Sequence, residues 1–351
     1  MWTLYGTSVD LTEFAAIHPG GKDVLMNCRG MDCTVLFEQY HLRSDRPMEY
    51  LKKFGVRVPD LDPFYADLRE EVRKLKTVKM PVNWLWAYGV VLATWVGWVQ
   101  GNTFACLVLP WLNWLWVANV SHNASHYAVS SSVRANRVWA HTSCPLVYNT
   151  AVWDTNHVIY HHVHTNEVND VDLNVGMRVH PRQPACAYQH LGYMALALGA
   201  SFALNFQRFG WQWLGSAWVL LYPVASGKGW CFALYPFIMT SIIFVGITQV
   251  SHIQAEAQRD RPYRHWTHAM VATSMDYSQS SKLWSFLTGG LNMQGLHHCI
   301  PHVNSIHYPG FYPTYRALCR KHGLAILEVP TWREAWREHW RHVTTMGLHL
   351  D

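Results

Sequence analysis

The sequence predicts a mostly α-helical membrane protein, with four transmembrane helices, a cytosolic histidine-rich cap and a small α+β domain ahead of them. Three observations carry that reading. Half of the 351 residues are apolar and only 15% are charged, against about 25% in soluble chains. The 19 tryptophans and 17 tyrosines are side chains that favour the bilayer interface. Long apolar runs separate three histidine clusters, which can therefore meet only in three dimensions. The net charge of +5 is modest, and no basic stripe with stacking aromatics accompanies it, which argues against a nucleic-acid partner. The eight cysteines form no C-x-x-C pair, as in a reducing, cytosol-facing chain rather than a disulfide framework. Met1 to Gly6 lacks a basic n-region and an apolar h-region, so insertion is expected to use internal spans.

Residues 1–58 read as the small domain. Trp2 to Val9 alternates weakly and suits a strand, and Asp10 to Phe14 resembles a capped helical turn. His18-Pro19-Gly20-Gly21 follows, then helices from Lys22 to Met26 and around Cys33 to His41. Residues 59–80 read as a linker and a charged helix, Asp67 to Lys79, leading to the bilayer. From residue 81 onward the chain reads as the membrane domain. Its spans are placed at about 82–100, 103–120, 209–225 and 230–250, close to the roughly 17–25 residues a membrane helix needs. Leu191 to Leu204 is apolar but short, nearer an interfacial helix. Juxtamembrane Lys and Arg put the N-terminus, all three histidine clusters and the C-terminus on the cytosolic side. Tyr312 to His349 reads as two amphipathic helices, one with a stripe of Trp332, Trp336 and Trp340 that packs on the domain or on lipid.

The chemistry lies in His122-Asn123-Ala124-Ser125-His126, in His157-Val158-Ile159-Tyr160-His161-His162 and in Gln294-Gly295-Leu296-His297-His298. Helical residues four apart share a face at about 5–6 Å, so His122 with His126, and His157 with His161, can each hold one metal. His162 is turned about 100° from His161 and can point to a second, and His297-His298 repeats that adjacency. Asp154, Asn166, Asp170 and Asp172 are candidates to orient these rings, and His252 is an eighth possible ligand. A single H-x-x-x-H pair is weak evidence, since interfacial histidines can be fillers; three clusters on one membrane side are not. Imidazole ligands suit zinc, copper, nickel or iron, and spacing does not choose among them. At the N-terminus, His18 on its glycine turn and His41, 23 residues later, can supply two axial ligands to a haem suited to electron transfer. H-P-G-G is also compatible with an ordinary turn. Asn119 and Asn123 formally match glycosylation sequons but fall in and beside the first cluster on the cytosolic side, and are read as chance matches.

The three clusters resemble the histidine boxes of the membrane fatty-acid desaturases. The likeness extends over about residues 60–351, including His122 to Val129, His161 to Asn166 with Asp170 and Asp172, and Gly289 to Pro301. Glutamine opening the third box resembles the front-end acyl desaturases and their sphingolipid relatives. Val9 to Phe54, with Gly30 to Thr34 and Tyr40-His41, resembles cytochrome b5, although the chain starts where that family has already laid down a strand and a short helix, as expected either of a trimmed haem domain or of an incomplete N-terminus. The resemblance implies a di-iron centre on His122, His126, His157, His161, His162, His252, His297 and His298, with Gln294, Asp170 and Asp172 serving catalysis. It implies a b-type haem on His18 and His41, and insertion of a double bond between an existing one and the carboxyl end of an acyl-lipid or acyl-CoA chain. O2 and an NAD(P)H-dependent cytochrome b5 reductase are the implied co-reactant and electron source, and the endoplasmic reticulum membrane the implied location. Departures are small: His164 stands where an aromatic is common, and Cys299-Ile300 where Leu-Phe is. The rival readings are a long-chain-base desaturase or hydroxylase on the same scaffold, and a non-catalytic haem- or metal-binding electron carrier. Nearly apolar spans count against a transporter.

Overall fold

The computed structural model describes residues 1–76, 82–167, 170–172, 188–258 and 262–348. Trp2 to Val9 is not one strand but a hairpin, Trp2–Leu4 antiparallel to Thr7–Val9. Tyr5 and Gly6 turn it with φ of 48° and 73°, the left-handed pair that a two-residue hairpin turn requires. Four short helices follow, Thr12–Ala15, Lys22–Asn27, Thr34–Tyr40 and Arg46–Leu51. They close a small core of Trp2, Leu4, Val9, Leu11, Leu36 and Leu51.

That core is not self-contained. Ile159 is buried in it, and Tyr160 and Val163 pack against it, so the N-terminal domain rests on the helix carrying the second histidine cluster. The Pro63–Lys74 helix starts on an Asp62 cap. It buries Phe64, Tyr65, Leu68 and Val72 in a core shared with Tyr308, Phe311, Tyr312 and Tyr315, so it packs within the cap. Residues 77–79 of the expected charged helix lie outside the described residues.

The apolar part is built on helices Val82–Val99, Thr103–Trp116, Gln189–Phe206, Trp211–Ala225 and Trp230–Thr248. The first two form the expected hairpin. Gly101 turns it with φ of 85°, and the Asn102 side chain accepts from the Ala105 backbone N–H at 2.9 Å. Gly97 lets the helices touch, since a Cβ there would lie 2.9 Å from that of Ala105. Trp98, wholly buried, ties this hairpin to the next by donating to the Phe232 carbonyl.

Among the described residues, two helices are long and apolar enough to cross a membrane, Thr103–Ser125 and Trp230–Ser251. The four-span expectation is thus met at two places. The Trp211–Ala225 helix has 15 residues, about 22 Å at 1.5 Å per residue, short of a roughly 30 Å hydrocarbon core. Val82–Val99 is interrupted by four tryptophans and a tyrosine, amphipathic rings that prefer the interface. The stretch read as a short interfacial helix is an 18-residue helix, Gln189–Phe206. Its Ser201 backbone N–H donates to the Ser241 Oγ at 2.9 Å.

The C-terminal part holds helices Tyr308–Lys321 and Trp332–Leu348 and a strand between them, Leu327–Val329, parallel to Met275–Tyr277. The tryptophan stripe packs inward: Trp332 stacks on Trp284 at 5.7 Å and Trp336 on the His339 ring at 5.2 Å.

Candidate metal centre

Local chain winding brings the histidines together. The Thr103–Trp116 helix continues through a π segment, Val117–Ser121, into His122–Ser125. A second π segment, Asp154–His161, carries the second cluster. In a π turn, hydrogen bonds run from i to i+5, and the His162 N–H is bonded to the His157 carbonyl. That wider turn draws residues five apart toward one face, so His157, His161 and His162 all look into the site. An α-helix would have turned His162 away. The third cluster lies on the Gln294–Cys299 helix. Its first turn is anchored by Asp276, whose Oδ1 accepts from the Gly295 N–H at 2.9 Å. Gly295 has no room for a side chain there, since a Cβ would lie 2.9 Å from the Tyr315 hydroxyl.

The ligand atoms of His122, His126, His157 and His297 form one buried group, and those of His161, His252 and His298 a second. Within each group they lie within 4.8 Å of one another. The adjacent pair His297-His298 divides between the groups as its spacing predicts. His157 and His161 fall in different main groups. Their rings stack at 5.2 Å, but His157 Nδ1 meets Asp172 Oδ2 and His161 Nδ1 meets Asp170 Oδ2, each at 2.8 Å. Those two, with Asp172, also form a third possible donor set. His162 lies between the main groups, 4.6 Å from the His126 ring and 4.5 Å from that of His298.

The donor set fits metal ions. The Nε2 atoms of His122, His126, His157, His162 and His297 are buried and have no hydrogen-bond partner, a costly state unless a ligand takes the lone pairs. Five box histidines have the outer nitrogen held, His126 Nδ1 by Tyr40 Oη, His298 Nδ1 by Thr165 Oγ1 and His297 Nδ1 by Tyr308 Oη, besides the two aspartate pairs, whereas both nitrogens of His162 are buried without a partner. That arrangement sets the tautomer with Nε2 free for metal. Burial holds His126, His157, His162, His252, His297 and His298 well below the ordinary imidazole range, so they are neutral at pH 7, the ligating form. His161 is the exception. Burial lowers it, but the Asp170 carboxylate and its hydrogen bond raise it further. Burial also pushes the Asp172 carboxyl up to about 6.

Gln294 belongs to the second group. Its side-chain nitrogen lies 3.0 Å from the Nε2 of both His252 and His298, on the lone pairs a metal would take. Asn166 acts through backbone: its Nδ2 donates to the carbonyls of His252, Ala257 and Thr273 at 3.0, 2.7 and 2.8 Å. Asp154 does not orient a histidine. Its carboxylate pairs with Arg137 at 2.6 Å, which corrects the sequence expectation. His164 meets Glu167 at 2.7 Å, away from the groups. Asn119 donates to the Leu115 and Phe286 carbonyls, and Asn123 is buried. Tyr40, Thr165 and Tyr308, each against a box histidine, were not marked by sequence reasoning, because nothing in their spacing ties them to the clusters.

The second candidate site lies in the N-terminal domain. The His18 and His41 rings are 6.3 Å apart. One metal between two Nε2 atoms needs about that, from two bonds of roughly 2 Å and about 1 Å from each nitrogen to its ring centre. Both Nδ1 atoms are bonded to backbone carbonyls, of Gly21 at 3.3 Å and Phe37 at 2.7 Å, which leaves Nε2 for iron. Burial lowers both imidazoles, His41 to about 4. Gly20 gives room to the ligand's own ring: a Cβ there would lie 2.7 Å from His18 Cε1.

The fatty acid desaturase family matches residues 93–330, and that span carries all three histidine clusters. The chain belongs to the fatty acid desaturase family. Residues 1–60 match the cytochrome b5-like haem/steroid binding domain. The desaturase is 30% identical to an acyl-lipid omega-13 desaturase of Chlamydomonas reinhardtii, over 93% of this chain and 89% of the relative. It is 26% identical to a Delta(5) fatty acid desaturase of Dictyostelium discoideum, over 97% and 89%. It is 24% identical to an acyl-lipid (8-3)-desaturase of Mortierella alpina, over 98% and 93%. No solved structure matches it. The desaturase is thus an oxidoreductase of lipid metabolism with the front-end architecture, a haem-binding cytochrome b5-like domain fused ahead of a histidine donor set that fits a di-iron centre.

Proposed function

We propose that the desaturase inserts a double bond between an existing one and the carboxyl end of a fatty acyl chain carried on a membrane lipid. The observation that carries this is the pair of buried histidine groups, with ligand atoms within 4.8 Å in each set, fused to a paired-histidine haem slot. His122, His126, His157 and His297 would hold one iron, His161, His252 and His298 the other, with His162 between them and Gln294 against the second. Bound iron would supply the activation of O2 for removing hydrogen from unactivated methylenes.

The chain's own residues do the rest. Asp170, Asp172, Thr165 and Tyr308 hold the outer nitrogens, so each ring keeps one tautomer and one direction. Burial of the site keeps water from competing with an acyl methylene. A cavity of about 230 Å³, reached by Val120 just ahead of the first box, is lined by Trp84, Val120, Phe286 and Ile306 and by the polar Lys282 and Asn304. It suits the approach of an acyl chain whose head is polar or anionic. His18 and His41 would hold the haem, which would supply one-electron transfer from an NAD(P)H-dependent cytochrome b5 reductase. Thr103–Ser125 and Trp230–Ser251 would cross the endoplasmic reticulum membrane, and the shorter Val82–Val99 and Trp211–Ala225 would pair with them as two hairpins, the bilayer thinning around the short arms, with both termini and all histidines cytosolic. The Lys and Arg flanking the first, second and fourth spans support that orientation.

The relatives' names count from different ends, yet an omega-13 bond and a Delta(5) bond are the same bond in an 18-carbon chain. We therefore take such a chain as the reference substrate. Yeast expressing the desaturase, fed unsaturated acids of increasing length, tests this through product mass spectrometry. A bond at constant distance from the carboxyl end supports the front-end reading, and one at constant distance from the methyl end overturns it.

A further inference from the structure

We propose that Gln39 and Tyr40, the two residues before the haem-ligand candidate His41, are positioning residues of the metal centre, so that the N-terminal domain completes that centre. The inference rests on the assignment of the box histidines as metal ligands.

Tyr40 Oη lies 2.8 Å from His126 Nδ1, and the two rings run nearly parallel at 6.4 Å and 25°. With His126 Nε2 buried and unpartnered as the metal-binding atom, Nδ1 carries the proton and donates it to the tyrosine oxygen. The other outer nitrogens named above are held by residues of the desaturase part: Asp172 for His157, Asp170 for His161, Thr165 for His298 and Tyr308 for His297. His126 alone among these takes its partner from the haem domain. An imidazole tied to a fixed acceptor keeps one tautomer and one direction, and losing such a partner typically lowers metal affinity by about 10–100-fold.

Gln39 makes the same connection through backbone. It is wholly buried, and its Nε2 donates to the His298 carbonyl at 2.9 Å and reaches the His162 carbonyl at 3.4 Å. One side chain of the N-terminal domain thus spans the second and third boxes. Both residues end the Thr34–Tyr40 helix, whose next residue is His41. That helix is seated by Ile159, Tyr160 and Val163 of the second-box segment and by Glu38, which accepts from Trp266 Nε1 at 2.5 Å. The fusion therefore does more than raise the local concentration of an electron donor. It brings a hydroxyl and an amide into the metal site.

The test uses the full-length protein with Tyr40→Phe, which deletes one oxygen, Gln39→Met, which keeps the volume and loses the amide, and His157→Ala as the reference. Haem absorbance reports whether the N-terminal domain is folded. Iron per chain, titrated against a competing chelator, reports affinity, and the visible spectrum of the cobalt(II)-loaded protein reports ligand geometry. The expected result is normal haem absorbance, a 10–100-fold weaker metal site and an altered cobalt spectrum in Tyr40→Phe, with a change in the same direction in Gln39→Met. If Tyr40→Phe loses haem as well, Gln39→Met decides. Unchanged affinity and cobalt spectrum in the variants, while His157→Ala loses metal, overturns the inference and leaves the metal-centre reading standing. Retention of all metal by His157→Ala overturns that reading instead.

Discussion

Replacing Asp170 by Asn should weaken one metal site of the pair more than the other. Three donors converge on this buried carboxylate. His161 Nδ1 and the Asn166 backbone N–H reach Oδ2 at 2.8 and 2.9 Å, and the Asp172 N–H reaches Oδ1 at 3.1 Å. An amide has one oxygen. Placed at the Oδ2 position it keeps two donors and turns its NH2 against the Asp172 N–H. Flipped, it points NH2 at His161. An unmet buried donor costs about 1–3 kcal/mol, and the loss of charge weakens the hydrogen bond that steers His161. The expected fall in metal affinity is about 10–100-fold, or roughly 1.4–2.8 kcal/mol. It should be larger in the group of His161, His252 and His298 than in the other, which Asp170 reaches only through Asp172 and His157. Two-site cobalt(II) titration of the purified protein reads it, because the other group serves as an internal control. Two unchanged binding constants would refute the reasoning, as would equal weakening of both sites.

Three further outcomes follow from the geometry. Gln294→Ala uncovers the Nε2 atoms of His252 and His298. Turnover should drop by about 10–100-fold while the unfolding midpoint moves by only about 2–4 °C, the effect of roughly 1 kcal/mol; the reverse pattern in activity and melting assays would count against a role in the site. Gly20→Ala places a methyl 2.7 Å from His18 Cε1, so haem titration followed by absorbance should show weakened binding, and wild-type affinity would show that His18 does not hold haem in this rotamer. His339 is buried against the Ile253 carbonyl and the Tyr193 hydroxyl, and burial lowers it to about 3. Unfolded, it titrates near 6.5, so its contribution is complete above that pH and is lost as pH falls toward 3, by about 2 kcal/mol from pH 6.5 to 5. Denaturant unfolding of His339→Gln should show a correspondingly flatter acid limb than wild type, and parallel limbs would contradict the assignment.

The parts of this protein legible in its sequence are those written in local spacing. The three boxes, the His18–His41 pair and the first helical hairpin follow from histidine intervals, glycine turns and apolar runs. The Gly101-Asn102 turn and the Gly289 to Pro301 stretch are local in the same sense. What spacing could not convey is how the chain departs from α-helical winding. The π segment under Asp154–His161 brings His162 into the middle of the site, whereas a helical wheel sends it aside. Partners distant in sequence were equally hidden. Tyr40 meets His126 across 86 positions and Gln39 meets the His298 carbonyl across 259, and no periodicity marks either. Asp154 illustrates the converse: beside the second box in sequence, it is taken by Arg137. The short strand Leu327–Val329 was missed because its partner, Met275–Tyr277, is a buried three-residue edge too short for an alternating pattern.

The central claim is that the two buried histidine groups form a working desaturation centre. The most direct test is product formation in yeast by the wild-type protein and by His157→Ala, at matched expression and with normal haem absorbance in both. The account predicts a new double bond in an acyl lipid that appears with the wild-type protein, requires O2 and is absent with His157→Ala. No new unsaturated product from any acyl or sphingoid substrate, or the same product from His157→Ala, would contradict it.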